Sequence, residues 1–358
     1  MKDTLAIGLM SGSSLDGLDI ALVQFTDNEG QYNYHIETAE TIPYPEYWHD
    51  QLAGAFLHQP SELASLDKAY GSFLGQQVSV FVKKHGIKPD FVASHGHTVF
   101  HKPEQHYTLQ IGDGQALADA CGITVVNDFR TEDVGKGGQG APLVPIGDRL
   151  LFGNYEICLN IGGIANLSYE CNGQRIAYDS CIANQALNWL AQQEGLDYDK
   201  DGLLAQKGQL DPTLLEMLNS NGFYRQPAPK SLGREFFETY QKDMLKPYNT
   251  ADALATFTEH VALQIAQSIE HLPQGRMLVT GGGAHNHHLI GRIQHYTHHQ
   301  VVVPDRQTVD YKEALIFALL GLLRLEGHVN VLCSVTGASS DSCSGKIWHP
   351  QSNCNKMV

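Results

Sequence analysis

Basic residues are scarce in this chain. Lys and Arg total 24 against 39 Asp and Glu, for a net charge of -15 over 358 residues. No stretch gathers Lys or Arg into a patch. A nucleic-acid binder depends on cationic side chains to neutralise phosphates, so that class is disfavoured and no nucleic-acid partner is expected. The shortage does not exclude nucleotides, whose phosphates can be held by backbone amides and a metal ion. The sequence has no C-x-x-C. Its seven cysteines, Cys121, Cys158, Cys171, Cys181, Cys333, Cys343 and Cys354, are odd in number and widely spaced. Neither a disulfide framework nor a zinc site follows from them, and a reducing, cytoplasmic setting is expected. The apolar stretch after Met1-Lys2-Asp3-Thr4 is too short for a secretory h-region or a membrane span, so neither export nor a membrane partner is expected. Histidines cluster at 95–106, 285–288 and 295–299, but none of the clusters carries H-E-x-x-H or a matching cysteine set, and surface or turn roles are expected for most of them.

What is present suits a soluble globular protein: hydrophobic residues make up 42% and charged residues 18%. A single core rarely grows beyond roughly 250–300 residues, so two domains are the default. Short apolar runs predict strands at Thr4–Met10, Leu18–Phe25, Tyr32–Ile42, Phe91–Ser94, Leu109–Ile111 and Ile123–Asn127, with helices at about 46–57, 62–85 and from Asp113. The second half repeats the order, with strands at Glu156–Ile161, Ile164–Glu170 and Arg175–Tyr178 and a helix over about 184–193. Later come strands at Met277–Thr280 and Val301–Val303 and a helix at Tyr311–Arg324. A long amphipathic helix is expected at Thr250–His271, where Leu254, Phe257, Val261, Ile265 and Ile269 step by three or four and Thr250 is the candidate N-cap. Each half opens with strand, Gly-rich turn, strand, turn, strand, then helices. The chain therefore reads as α/β with two similar domains, a pairing that commonly binds its ligand in the intervening cleft.

The Gly-rich turns carry the chemistry. Ser11–Gly17 joins two strands, so it is neither a P-loop nor a dinucleotide-binding turn, and it lacks G-x-x-x-x-G-K-[ST]. Glycines that admit a close approach, together with hydroxyl and amide donors, could cradle phosphate there. An ordinary hairpin turn is the alternative. Gly162-Gly163 and Gly281-Gly282-Gly283 also follow apolar strands, and three such turns form the constellation that a nucleotide's phosphates and nucleoside would need.

Ten segments, in order along nearly the whole chain, resemble the anhydro-N-acetylmuramic acid kinases, a branch of the superfamily that holds sugar kinases and actin. They are MSGSSLDGLD (10–19), SHGHTVFH (94–101), LQIGDGQALA (109–118), VVNDFRTEDVGKGGQGAPLVP (125–145), LNIGGIANLS (159–168), DGLLAQKG (201–208), PKSLGREFF (229–237), VTGGGAHN (279–286), KEALIFALLG (312–321) and VTGA (335–338). Two departures stand out. Ser13 replaces a usual Thr, and Cys181-Ile182-Ala183 replaces a usual Gly-Pro-Gly between Asp179 and Asn184.

The resemblance implies two actin-like (ribonuclease H-like) domains, each with a five-stranded mixed sheet flanked by helices. Domain I would cover 1–130 joined by the tail 341–358, and domain II would cover 131–340, with ATP between them. The implied reaction uses ATP and water. Water opens the 1,6-anhydro bridge, and the freed 6-hydroxyl takes the γ-phosphoryl group to give N-acetylmuramic acid 6-phosphate, a step of peptidoglycan recycling. Asp179 matches the general base, although an aspartate at that place could equally be an N-cap. Gly12, Ser13, Ser14, Leu15, Asp16, Gly17, Leu18 and Asp19 match the first phosphate loop, Gly162 and Gly163 the second, and Gly281, Gly282 and Gly283 the adenosine side. Asp16 and Asp19 could hold Mg²⁺ through water, and turn stabilisation is their alternative role. Arg130 is the candidate for the sugar's carboxylate because guanidinium pairs bidentately with it; an interdomain ion pair is its alternative. His95, His97, Asn184 and Glu313 are further candidates for sugar contacts, and Gly137–Pro142 is a candidate hinge-side loop. The partners implied are the sugar, ATP and a second copy in a homodimer.

Overall fold

A computed structural model describes residues 2–12, 15–28 and 30–351. The chain divides into two compact units. The first comprises the residues up to Leu151 and those from Tyr311 onward, and the second comprises Phe152–Asp310. The units thus divide at 151 and 310, whereas the sequence reading put the divisions at 130 and 340.

In the first unit, β1 (Lys2–Ser11), β2 (Leu18–Asn28) and β3 (Gln31–Ile42) form an antiparallel meander. β4 (Phe91–Ser94) runs parallel to β1. β5 (His97–Lys102) and β6 (Tyr107–Ile111) form a separate hairpin. β7 (Val125–Asn127) continues the main sheet parallel to β4. In the second unit, β8 (Ile157–Ile161), β9 (Ile164–Cys171) and β10 (Gln174–Ile182) make the meander, and β11 (Arg276–Thr280) and β12 (Gln300–Val302) complete the sheet. β13 (Lys346–Trp348) comes back from the tail to pair antiparallel with β7 in the first sheet.

Five strands therefore share one topology in both units: the order is β3-β2-β1-β4-β7 in one and β10-β9-β8-β11-β12 in the other. These are the expected five-stranded mixed sheets flanked by helices, except that β13 makes the first sheet six-stranded. The central strands are continuous apolar runs because helices cover both faces, as parallel strands require. Helix Pro60–His85 buries Leu66, Tyr70, Leu74, Val78 and Phe81 against the first sheet. The helix containing Ala314 lies so close to β1 that a Cβ on Gly8 would collide with the Ala314 carbonyl. The same helix is tied down by a buried ion pair, Lys312 Nζ to Asp148 Oδ1 at 2.7 Å.

Helix Thr250–Ile269 fills the core of the second unit. Its N-cap is Asn249, not Thr250: the Asn249 side chain accepts the Asp252 N–H at 3.0 Å. An amide one residue earlier does the satisfying, which the apolar spacing alone does not distinguish. Among the described residues, no helix is long and apolar enough to cross a membrane.

Candidate active site

β8 and β11 lie side by side and parallel, and each ends in a glycine turn. Ligands of open α/β sheets gather at the carboxyl ends of such strands. The glycines at these ends differ in what they require. Gly281 has φ +81°, and a Cβ there would lie 2.6 Å from Asn160 Oδ1; a Cβ on Gly283 would overlap the Ile161 side chain. Both are therefore needed for packing the two turns together. Gly162, Gly163 and Gly282 are not. Their nearest atoms to a built Cβ are 3.5, 3.8 and 3.7 Å away, and none has a positive φ. Gly163 and Gly282 are also exposed. Bare backbone facing open space, with no internal reason for lacking a side chain, suits the close approach of an anionic ligand. Asn184 fastens the turn after β8: its Nδ2 donates to the Ile161 carbonyl at 3.0 Å, and its backbone N–H donates to the Gly162 carbonyl at 3.1 Å.

Asp179 sits within β10, not after it. The sequence reading ended that strand at Tyr178, but β10 continues to Ile182 across a β-bulge between Asp179 and Cys181. The extra residue lets Tyr178, Ser180 and Cys181 all reach helix Thr250–Ile269. Tyr178 Oη donates to the Ser268 carbonyl at 2.7 Å, Ser180 Oγ bonds Ser268 Oγ at 2.9 Å, and Cys181 Sγ reaches the Val261 carbonyl at 3.9 Å. Bulges re-aim side chains in this way. Asp179 turns elsewhere, to residues 230–232. Its N–H donates to the Lys230 carbonyl at 2.9 Å and its Oδ2 accepts the Leu232 N–H at 2.8 Å. It caps no helix: the helix that follows starts at Asn184 with Ala183 at its N-cap position. Burial pushes the Asp179 carboxyl up to about 6, and the Leu232 hydrogen bond opposes the rise. The Cys181-Ile182-Ala183 triple is fully buried. It continues strand and core where glycines and proline would make an open loop.

The first unit offers side chains where the second offers bare turns. Met10, Ser11, Gly12, His95, His97 and Arg130 are among the residues around a cavity of about 300 Å³ at the ends of β1 and β4. Arg130 Nε and Nη2 both point at His95 Nε2, at 3.2 and 2.9 Å, and Nη1 donates to the Gly140 carbonyl at 2.5 Å. His95 Nδ1 lies 2.9 Å from the Gly96 carbonyl. These partners fix the tautomer, with the proton on Nδ1 and Nε2 accepting from the guanidinium. Burial, then Arg130, holds the His95 imidazole well below its usual range, so it is neutral. Burial brings His97 down to about 4 and Arg130 down to about 10. The Arg130 partners thus lie within this unit. One N–H on each of Nη1 and Nη2 stays available for a carboxylate.

His97 Nδ1 bonds Ser11 Oγ at 3.3 Å, Tyr44 Oη donates to the same Ser11 Oγ at 2.8 Å, and Tyr70 Oη bonds Tyr44 Oη at 2.7 Å. Gly17 and Leu18 are buried at the β1–β2 turn, where a Cβ on Gly17 would crowd the Ile42 carbonyl at 2.6 Å. Leu15 has φ +60°, and Asp16 is exposed. Asp19 accepts from Thr41 Oγ1 at 2.6 Å. Ser13 and Ser14 lie outside the described residues. Solvent reaches Glu313, yet the surrounding protein, followed by the charge of Asp19, pushes its carboxyl up. Among the described residues no group of three His, Cys, Asp or Glu could enclose a metal ion.

A family model for anhydro-N-acetylmuramic acid kinase matches residues 4–350. The chain belongs to the anhydro-N-acetylmuramic acid kinase family. The family member from Vibrio cholerae is 36% identical over 368 residues, covering 97% of this chain and 98% of that one. The one from Saccharophagus degradans is 34% identical, covering 98% and 100%. Solved structures similar to the chain include a ROK family glucokinase from Streptomyces griseus in complex with glucose and AMPPNP, at 13% identity and a TM-score of 0.41, covering 88% of this chain and 98% of that one.

Sequence reasoning on this family member missed the contribution of 230–232 to Asp179. The PKSLGREFF match marked the segment without giving it a role. Its pairing with a residue 53 positions away has no local signature.

Proposed function

We propose that the chain is an ATP-dependent anhydro-N-acetylmuramic acid kinase that uses Asp179 as the general base. The observation that carries this reading is the state of Asp179. It is a half-buried carboxylate whose partner is one backbone N–H rather than a cation, with its pKa near 6. Such a group is ionised at neutral pH yet basic enough to accept a proton, the compromise that general-base catalysis favours. Asp179 takes a proton from water as the water attacks the anomeric carbon and the C1–O6 bond of the 1,6-anhydro bridge breaks. The 6-oxygen attacks the γ-phosphorus, ADP leaves, and the sugar becomes N-acetylmuramic acid 6-phosphate.

The uncrowded backbone at Gly162, Gly163 and Gly282 receives phosphates and nucleoside, with Asn184 holding the turn after β8. The β1–β2 turn at Gly12–Asp19 supplies the other phosphate loop. Arg130, oriented by His95 and Gly140, receives the sugar carboxylate, and His97 donates to or accepts from its hydroxyls. Mg²⁺ would supply charge neutralisation. Asp19, whose charge bears on Glu313, offers carboxylate oxygen of the kind a hydrated Mg²⁺ takes while phosphates provide the rest; exposed Asp16 is the second candidate. A cytoplasmic place in cell-wall recycling follows from this substrate.

The test is incubation with ATP, Mg²⁺ and 1,6-anhydro-N-acetylmuramic acid, read by mass spectrometry in ¹⁸O-water. The expected product carries one ¹⁸O and one phosphate. A phosphorylated sugar without ¹⁸O, or no product, sinks the reading.

A further inference from the structure

The backbone that touches Asp179 belongs to a segment with an anchorage of its own. Lys230, whose carbonyl accepts the Asp179 N–H, does not direct its ammonium at the carboxylate. Lys230 Nζ lies 3.2 Å from the Phe223 carbonyl and 3.3 Å from the Tyr224 carbonyl, and 4.7 Å over the Phe223 ring. The segment is thus folded back on residues seven and six positions earlier. Those residues are fixed in turn to the core. Tyr224 Oη bonds His260 Nε2 at 3.0 Å and accepts from Gln241 Nε2 at 3.0 Å, while His260 Nδ1 donates to Asn219 Oδ1 at 2.6 Å. His260 is fully buried, and burial brings its pKa down to about 3, so the imidazole is neutral with its proton on Nδ1. Phe236, after the segment, closes it by ring contacts with both Phe223 and Tyr224.

We infer that Lys230 and Tyr224 are positioning residues for Asp179: they lock residues 230–232 into a strap that presents the Leu232 N–H to the carboxylate and keeps the lysine cation turned away from it. The inference rests on the proposed role of Asp179 as base. The geometry separates two tasks that a lysine beside a carboxylate usually merges. An ammonium paired directly with Asp179 would hold its pKa low and weaken it as a base. Spent on two carbonyls, the same ammonium tightens the turn instead. The other titratable groups around Asp179 are in no position to replace it. The Cys181 thiol on its own strand is pushed up to about 12 by burial and stays neutral. Tyr224 is likewise pushed up by burial, and His260 on the helix packed behind β10 carries no charge. Past the strap, the Glu235 carboxylate folds back on Gly233.

The test is the pH dependence of kcat at saturating ATP and sugar for Lys230→Met, Lys230→Arg and Tyr224→Phe, with Asp179→Asn alongside. Loosening the strap withdraws the Leu232 hydrogen bond, which favours the ionised carboxylate. Its loss raises the pKa of the base. The acidic limb of the profile is therefore expected to move upward by about one pH unit in Lys230→Met, with kcat at pH 6 down about fivefold and the KM for ATP unchanged. Lys230→Arg, which can still donate to two carbonyls, restores most of this. Tyr224→Phe keeps the ring contacts and shifts the limb in the same direction by less, and it serves if Lys230→Met does not fold. A limb that stays in place in both Lys230→Met and Tyr224→Phe overturns the inference, whatever happens to kcat or melting temperature. If Asp179→Asn keeps wild-type activity, the base assignment itself fails and the strap loses its purpose with it.

Discussion

The two sheets have the same strand order and opposite equipment. At the ends of β1 and β4 the first unit places His95, His97 and Arg130, each held by other side chains or carbonyls around a cavity. At the ends of β8 and β11 the second unit places Gly162, Gly163 and Gly282, which lack a packing reason for being glycine, and among its described residues the carboxylate that burial raises, Asp179, sits at a bulge in the third strand of the meander. One topology thus supports a side-chain surface in one copy and a backbone surface in the other. Side chains discriminate shape and hydroxyl pattern, as a sugar demands. Backbone amides recognise phosphate regardless of what it is attached to. Under the proposed reading the side-chain surface serves the sugar and the backbone surface the nucleotide, with the β1–β2 turn as the first unit's own phosphate loop.

The comparison breaks most easily at Asp179. Asp179→Asn keeps the size and one acceptor for the Leu232 N–H but removes the proposed base. Product formation is expected to fall by about 100- to 10,000-fold with the KM for ATP little changed, measured by coupled ADP release. A loss confined to KM would move Asp179 from chemistry to binding.

Gly163 and Gly283 sharpen the contrast within the second unit. The Cβ of Gly163→Ala meets no protein atom closer than 3.8 Å, so the melting temperature should stay near wild type while the KM for ATP rises at least about tenfold, roughly 1.4 kcal/mol of lost binding. Gly283→Val forces its Cβ into Ile161 and should destabilise by about 1–3 kcal/mol in urea unfolding. Equal destabilisation of both would mean that Gly163 is a structural glycine after all. In the first unit, Arg130→Lys keeps the charge and removes the fork that spans His95 and Gly140. The KM for the sugar should rise about tenfold while that for ATP stays put. A rise in both would erase the division of labour between the units.

The duplicated topology was legible because short apolar runs and glycine turns recur in the same order in both halves. The separate positions of Asp179, Arg130 and the glycine turns were legible only through family motifs. β13 escaped because three residues near the end of the chain carry no periodicity; its place is set by pairing with β7, more than 200 residues earlier. The extent of β10 escaped because a bulge interrupts the alternation that marks a strand, and the departure Cys181-Ile182-Ala183 reads as an altered loop until its complete burial shows it to be core. The strap over Asp179 is a matter of backbone donors and acceptors, which every sequence possesses equally. Only the fold decides which of them meet.

The smallest effect expected bears on what the base costs. Burial raises the folded-state pKa of Asp179 to about 6, above the value near 3.9 of an unfolded chain. Between those two values the folded protein binds the proton that the unfolded chain releases, so this residue's contribution to stability falls as pH rises from about 4 to about 6 and remains unfavourable above that. Asp179→Asn removes the ionisation and should stabilise the protein at pH 7 by about 1 kcal/mol, a value discounted from the full shift because the carboxylate is only half-buried. At pH 4 the gain should vanish. Urea unfolding of wild type and variant at the two pH values checks it. A gain over wild type that is no larger at pH 7 than at pH 4 would mean that the carboxylate is better solvated than its surroundings imply. Position 179 would then be an ordinary strand residue of the second sheet, with no more claim on catalysis than its neighbours in the first.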